Sequence, residues 1–426
     1  MVDIQPLKSK PIRCALLIGA YAQVGEKSDA QSLLDELAAL VDTLGASVLQ
    51  KKLLHLREPQ PRFFIGSGRA EELAAQAKAL GADAIVFDNE LTPAQQRNWE
   101  KLAALRVIDR QEVILDIFAR RAQTREARLQ ITLAQMQYAL PRLTRGWSHF
   151  GQQAGGIGAK GEGEKQLELD RRMLRTRIEK IREELVQVRR RRALQRKERV
   201  RAPVPTFAIV GYTNAGKSSL LRRLTQANVL VEDKLFATLD TTTRRLTLPS
   251  GRPVLLIDTV GFVRKLPHRL IEAFNATLEE AIVSDFLIHL VDASHPRALE
   301  LYQTTLQVLY ELGAQDKKSI VLLNKVDQLE DQDPPKELKR EIPDAIPISV
   351  KTGEGLGQLM RVMEEFVQGD QKTVALKIPL GKQEAIARLH AQGRILQVDY
   401  TATHARIRAS VPIKLLPEYR AWLNKK

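Results

Sequence analysis

Cysteine is almost absent from this 426-residue chain, with Cys14 the only one. A single thiol excludes an internal disulfide framework and a thiolate metal cluster. Cys14 also opens an apolar run, residues 14–18, that reads as a buried strand, so we take it as core. Long hydrophobic runs are missing too. No stretch approaches the roughly 18 residues of a membrane helix, and residues 1–10 lack the apolar core of a signal peptide, so a cytoplasmic protein is expected. Acidic residues are in deficit, 51 against 66 Lys and Arg, a formal net charge of +15. Residues 171–201 alone hold 14 Lys or Arg against 4 Glu. Such a run can be a solvated helix face, but one so one-sided repels itself unless a polyanion lies nearby, which makes nucleic acid the leading partner.

The length calls for about two to four domains. Residues 1–110 alternate apolar runs (14–18, 46–49, 84–87) with helical patterns (32–44, 70–80, 93–105), the signature of an N-terminal α/β domain with a parallel sheet. Its Gly66-Ser67-Gly68 precedes a helix and reads as a turn and cap, lacking the rest of a dinucleotide fingerprint. Residues 111–202 follow another rule. Leu129, Leu133, Met136 and Leu140 form one apolar stripe and Leu174, Ile178, Ile181, Leu185 and Val188 a second, predicting two helices of about 30 residues that zip into an antiparallel hairpin roughly 45 Å long. Between them a glycine-rich tip, about 146–165, is too polar to bury a core. Trp147, His149 and Phe150 beside Arg142 and Arg145 offer stacking faces next to phosphate-binding charge, as in recognition of looped RNA. Pro203 and Pro205 mark the next boundary. Residues 203–369 form a third domain, and residues 370–426, read as strand, helix, strand, strand, helix, a small C-terminal α+β domain.

Chemistry enters with the third domain. The apolar run 207–210 feeds Gly211-Tyr212-Thr213-Asn214-Ala215-Gly216-Lys217-Ser218 and then, from Ser219, a helical pattern, the strand, loop and helix that a P-loop requires. There the backbone amides cradle phosphate, Lys217 reaches the β- and γ-phosphates, and Ser218 offers its hydroxyl to Mg2+. A second apolar strand ends in Asp258-Thr259-Val260-Gly261, where Asp258 would hold Mg2+ through water and the Gly261 amide would face the γ-phosphate. A third ends in Asn324-Lys325-Val326-Asp327; a fixed Asp327 carboxylate accepts from guanine N1–H and N2–H2 and repels adenine, selecting GTP. Ser349-Val350-Lys351 fits the last base-contacting loop. The segment Phe236-Ala237-Thr238-Leu239-Asp240 precedes Thr241, Thr242 and Thr243, and spacing cannot choose among the four threonines for the one that closes on Mg2+. Phe262 stands where many GTPases carry a water-orienting glutamine, so hydrolysis alone should be slow and a partner should stimulate it.

These residues resemble the HflX family of P-loop GTPases, in the broad Obg-like group. Beyond the GTPase motifs the likeness lies in Leu91-Thr92-Pro93-Ala94-Gln95-Gln96-Arg97, Val107-Ile108-Asp109-Arg110, Ile117-Phe118-Ala119-Arg120-Arg121-Ala122, Leu140-Pro141-Arg142-Leu143, Gly155-Gly156-Ile157-Gly158 and Leu167-Glu168-Leu169-Asp170-Arg171-Arg172. It covers nearly the whole chain. The resemblance makes Thr238 the Mg2+ ligand of the switch beside Ser218, with Lys217, Thr238 and Gly261 as the residues acting at the γ-phosphate. Two departures stand out: Thr241 and Glu162 replace expected prolines, which implies a more mobile switch and tip. The family likeness implies a GTPase, GTP and Mg2+ its ligands and GDP its product, that binds the large (50S) ribosomal subunit and its 23S rRNA; no exposed apolar stripe demands a partner, so a monomer is expected. It also implies insertion of the hairpin tip toward the peptidyl-transferase region and dissociation of 70S ribosomes, with some of the protein associated with ribosomes or membranes. An assembly GTPase of the large subunit, or a GTP-gated RNA-binding switch with little hydrolysis, fits the same residues.

Overall fold

The computed structural model describes residues 11–143, 162–199, 204–225, 235–236, 241–265, 282–330, 333–392 and 394–423. The chain divides into two compact units. One comprises residues 1–188, 230–240 and 260–279, and the other residues 189–229, 241–259 and 280–426.

In the first unit, strands β1 (Cys14–Tyr21), β2 (Ser47–His55), β3 (Ala84–Phe87) and β4 (Arg106–Asp109) form a parallel sheet in the order β2-β1-β3-β4. Its central strands read as continuous apolar runs because crossover helices cover both faces. Residues 15–18 and 84–87 are fully buried, whereas Cys14, at the open end of β1, is only half-buried. The connecting helices are α1 (Lys27–Thr43), α2 (Ser67–Ala79) and α3 (Pro93–Ala103). Gly66 is the N-cap residue of α2. At α3 the Leu-Thr-Pro-Ala-Gln string has a local explanation. The Thr92 hydroxyl accepts from the Gln95 amide at 3.2 Å, the Gln95 side chain accepts from the Thr92 amide at 2.9 Å, and Pro93 takes the first helical position. Trp99 is then carried into the core, where its indole N–H donates to the Phe63 carbonyl at 2.7 Å.

The hairpin differs from its sequence-based expectation. Residues 110–139 form two helices, α4 (Arg110–Arg121) and α5 (Arg125–Ala139), because Asp109 caps the first and Thr124 caps the second through the Ala127 amide at 3.2 Å. Helix α4 packs against α1 and β4 as well as α5, so it joins the sheet's covering to the foot of the hairpin. Only α5, about 22 Å long, faces α6 (Glu162–Arg199), which at 38 residues is about 57 Å. The two apolar stripes meet as expected: Leu129, Met136, Leu174, Ile178, Ile181 and Leu185 share one core. Arg125 pairs with Glu184 at 2.9 Å while Arg171 donates to the Leu143 carbonyl at 3.4 Å, which fixes an antiparallel register. Residues 162–165, expected in the tip, begin α6; Trp147, His149, Phe150 and the rest of the tip lie outside the described residues.

Arg142 is a second correction. Rather than facing RNA, it is 6% exposed and donates to Gln96 Oε1 at 2.9 Å and the Leu91 carbonyl at 2.8 Å, with its guanidinium 3.6 Å from the Tyr138 ring centroid. It ties the foot of the hairpin to the α3 cap.

The second unit holds a six-stranded sheet of β5 (Thr206–Gly211), β6 (Thr242–Thr247), β7 (Pro253–Asp258), β8 (Phe286–Asp292), β9 (Ser319–Asn324) and β10 (Ile346–Pro347), ordered β10-β9-β8-β5-β7-β6 and parallel except for β6. Helices α7 (Lys217–Thr225), α8 (Ala298–Glu311), α9 (Lys336–Glu341) and α10 (Leu356–Gly369) complete this α/β layer structure. Its core joins Phe207, Ile209, Leu256, Ile288, Leu322 and Met363. Functional loops therefore gather outside the carboxyl ends of β5, β7, β8 and β9. The same unit ends in an antiparallel sheet, β11 (Gln371–Pro379), β12 (Arg394–Tyr400) and β13 (His404–Pro412), in the order β11-β13-β12. Helix α11 (Gln383–Gln392) follows β11, and the last expected helix shortens to α12 (Leu416–Tyr419). Among the described residues no helix is long and apolar enough to cross a membrane.

Candidate functional site

The loop between β5 and α7 is shaped by three residues in left-handed backbone: Gly211 (φ 149°), Asn214 (φ 60°) and Gly216 (φ 101°). Glycine is required twice. A Cβ on Gly211 would lie 2.2 Å from the Leu290 carbonyl oxygen, and one on Gly216 2.5 Å from the Asn324 amide nitrogen. Tyr212 and Ala215 close the turn, the Ala215 amide donating to the Tyr212 carbonyl at 3.3 Å. Thr213 is buried, and its hydroxyl has no hydrogen-bond partner.

Lys217, the first residue of α7, donates to the Tyr212 carbonyl at 2.7 Å. Burial pushes its pKa down to about 8 despite the opposing pull of Asp258. On β8, burial likewise drives His289 down to about 3, aided by the nearby Lys217 charge, so the imidazole adds no second cation. Ser218, next on α7 and followed by half-buried Ser219, donates its hydroxyl to Asp258 Oδ2 at 2.7 Å. Asp258 ends β7 fully buried, and the Thr259 hydroxyl donates to the Ile209 carbonyl at 2.7 Å, locking β7 against β5.

Asn324, at the end of β9, is a strut. Its Nδ2 donates to the Ala215 carbonyl at 2.7 Å and its Oδ1 accepts from the Val350 amide at 3.1 Å, joining the phosphate loop to the last loop of the site. Lys325 follows in left-handed backbone (φ 67°) and pairs with Asp292 at 2.7 Å. Val326 is buried, and Asp327 accepts from the buried Ser349 hydroxyl at 2.6 Å. Lys351 is exposed beside Val350. The structure thus brings together residues 211–219, 258–259, 324–327 and 349–351. Phe236 is described, but Ala237, Thr238, Leu239 and Asp240 lie outside the described residues. Of the competing threonines, Thr242 and Thr243 belong to β6, paired with Asp258 and Ile257.

Three family models match: the GTP-binding GTPase N-terminal region over residues 31–119, the GTP-binding GTPase Middle Region over 121–199 and the 50S ribosome-binding GTPase over 206–325. The GTPase HflX of Akkermansia muciniphila is 47% identical over 98% of this chain and 99% of its own. The chain belongs to the HflX GTPase family. HflX of Escherichia coli is 44% identical over 81% of this chain and 82% of its own. A solved GTP-binding protein of Sulfolobus solfataricus in complex with GDP is 24% identical over 83% of this chain and 98% of that one, at a TM-score of 0.44. This HflX protein is accordingly a GTP-hydrolysing enzyme.

Its first unit contains the segments that follow Asp258 and precede β6. Phe236 (φ 55°) is buried edge-on against Phe118, ring centroids 4.5 Å apart. Val260, Gly261 and Phe262 are buried, Phe262 to 3% exposure. Sequence reasoning missed what comes next. Arg264 contacts Asp29 at 2.9 Å, Glu36 at 3.2 Å and the Ser32 hydroxyl at 2.8 Å, while Lys265 reaches Asp88 at 2.9 Å. Arg110 completes the cluster, holding Glu36 at 2.8 Å and Asp88 at 2.5 Å. Burial raises the Asp88 pKa, but Arg110 and Lys265 outweigh it and leave the carboxyl below its usual range. The available signal was the spacing of Asp29, Ser32 and Glu36, three and four apart, which is one polar stripe of α1.

Proposed function

We propose that this HflX GTPase binds the 50S subunit, hydrolyses GTP rapidly only when bound there, and dissociates 70S ribosomes. The observation that carries the reading is Phe262, buried directly after Gly261 where a water-orienting side chain would stand. An apolar ring can neither position nor deprotonate water, so the missing group is supplied by the partner or by another residue of the chain once docked. The basic α6 and its glycine-rich tip support an RNA partner, which we take to be 23S rRNA, with the tip directed at the peptidyl-transferase region. We read residues 203–369 as the GTPase domain, the hairpin as α5 and α6, and the protein as a monomer.

At the site, Lys217 and the loop amides of residues 211–218 bind the GTP phosphates, Gly261 faces the γ-phosphate, and Asp327 with Ser349 selects guanine. Mg2+ suits the Ser218 hydroxyl, with Thr238 as the switch ligand and Asp258, 2.7 Å from that hydroxyl, holding it through water; there it would neutralise charge on the phosphate oxygens.

GTP turnover measured with and without 50S subunits tests the reading, and equal rates would sink it. Sedimentation of 70S ribosomes with protein and a non-hydrolysable GTP analogue should show splitting. Binding without splitting would favour an assembly GTPase or a GTP-gated switch, and absence of co-sedimentation would remove the ribosome altogether. Deleting residues 155–163 should abolish splitting and leave nucleotide affinity intact.

A further inference from the structure

Residues 371–426 hold eleven Lys or Arg against three Asp or Glu, and the fold sorts this charge by face. One face of the β11-β13-β12 sheet is apolar: Val374, Leu376, Ile378, Ile407 and Val411 are buried with Leu389 of α11 and Tyr419. The opposite face lies open. Lys377, Arg406 and Arg408 are exposed there, over a floor of Thr373 and Ala375.

The strand register sets these charges against one another. Lys377 stands directly opposite Arg406, and Arg408, two residues on and about 7 Å along β13, stands opposite Ala375. Like charges directly opposite each other destabilise a sheet. Among the described residues none of the three has an ion-pair partner. Asp399, the one acid of this face, sits opposite Arg406, but its carboxylate accepts from Gln397 at 3.0 Å. The helical side behaves differently: Arg388 of α11 is paired with Glu418 at 3.0 Å. Arg388 thus has an acid within ion-pair distance on the helical side, whereas Lys377, Arg406 and Arg408 have none among the described residues.

We infer that the open face of the β11-β13-β12 sheet binds the sugar-phosphate backbone of duplex RNA through Lys377, Arg406 and Arg408. A polyanion removes the repulsion between the opposed cations, and the flat floor admits a backbone. At the register positions of this face the one ring is His404, opposite Pro379 and hydrogen-bonded to Thr403 at 2.8 Å; no Phe, Tyr or Trp stands there for successive bases to stack on, which favours duplex over single-stranded RNA. The surface is separate from the hairpin tip, and the inference does not depend on ribosome splitting.

The test uses the full-length protein carrying K377Q, R406Q and R408Q together, and a control of equal charge carrying K78Q, K336Q and K382Q. Binding to a 16-base-pair RNA duplex is followed by fluorescence anisotropy across a salt series. The sheet variant should lose about two in the slope of log affinity against log salt, near 0.7 to 0.9 per phosphate contact. The control should keep the wild-type slope, and both should keep the wild-type GTP turnover. Because the triple change removes opposed charges, its melting temperature should not fall; R406Q alone, with a slope loss of about one, serves as the second variant. Equal slopes for sheet variant and control would overturn the inference. So would a loss confined to single-stranded RNA or to vesicles of anionic lipid. Wild-type protein that binds the duplex through this face yet fails to sediment with 50S subunits would leave the inference standing and remove the ribosomal reading.

Discussion

Burying Lys217 ahead of its phosphate partners sets binding against stability within a single residue. Its pKa near 8 means that between about pH 8 and 10.5 the unfolded chain holds a proton the folded one lacks, so stability rises with pH across that window. Below pH 8 the cost of the buried charge is fully present. Lys217→Met should therefore stabilise the nucleotide-free protein at pH 7, by up to about 3 kcal/mol in chemical denaturation, while abolishing GTP binding. The same displacement predicts that GTP binding at pH 8.5 takes up a proton as phosphate restores the ammonium. Calorimetry in buffers of different ionisation enthalpy measures this uptake, and a heat independent of buffer would contradict it. Gly216→Ala, which drives a methyl onto Asn324 in strained backbone, should weaken GTP binding by about 10-fold to 100-fold, as read by nucleotide titration. The P-loop was legible because its constraints are local: one motif dictates the turn and the helix that follows. Arg264 and Lys265 were not, because their meaning depends on Asp29, Glu36 and Asp88, more than 170 positions away.

At the scale of elements, periodicity found the faces and misjudged the lengths. The stripes on α5 and α6 meet as read, since spacings of three and four leave only one side of a helix to bury. The break at residues 122–124 was overlooked because the apolar pattern carries on through it, although Thr124 is a recognisable cap. Arg142 looked like a surface cation from its neighbours in sequence and is instead a buried fastener between the hairpin and α3. Arg142→Ala leaves Gln96 Oε1 and the Leu91 carbonyl without their donor and should cost about 3 kcal/mol. Hydrogen exchange should show the loss as faster opening at 125–143 than in β1 or β3. Uniform loss across the unit would argue that Arg142 fastens nothing in particular.

Over the whole molecule, the sheets and their order follow from alternating apolar and helical patterns. The division into units does not, because pattern reasoning treats a domain as a continuous stretch. Here residues 230–240 and 260–279 belong with residues 1–188. A fragment ending at Val188 lacks Arg264 and Lys265, leaving Asp29 and Glu36 short of a cation, and should melt below the same elements in the intact chain by several degrees. Scanning calorimetry of the two would decide it. The interrupted layout also bears on synthesis. The first unit lacks its last segment until about ninety further residues have been made, some 5 to 18 seconds at typical elongation rates. During that interval Asp29 and Ser32 of α1 await Arg264 and Glu36 has Arg110 alone, so the first unit is completed only after the phosphate loop has been translated.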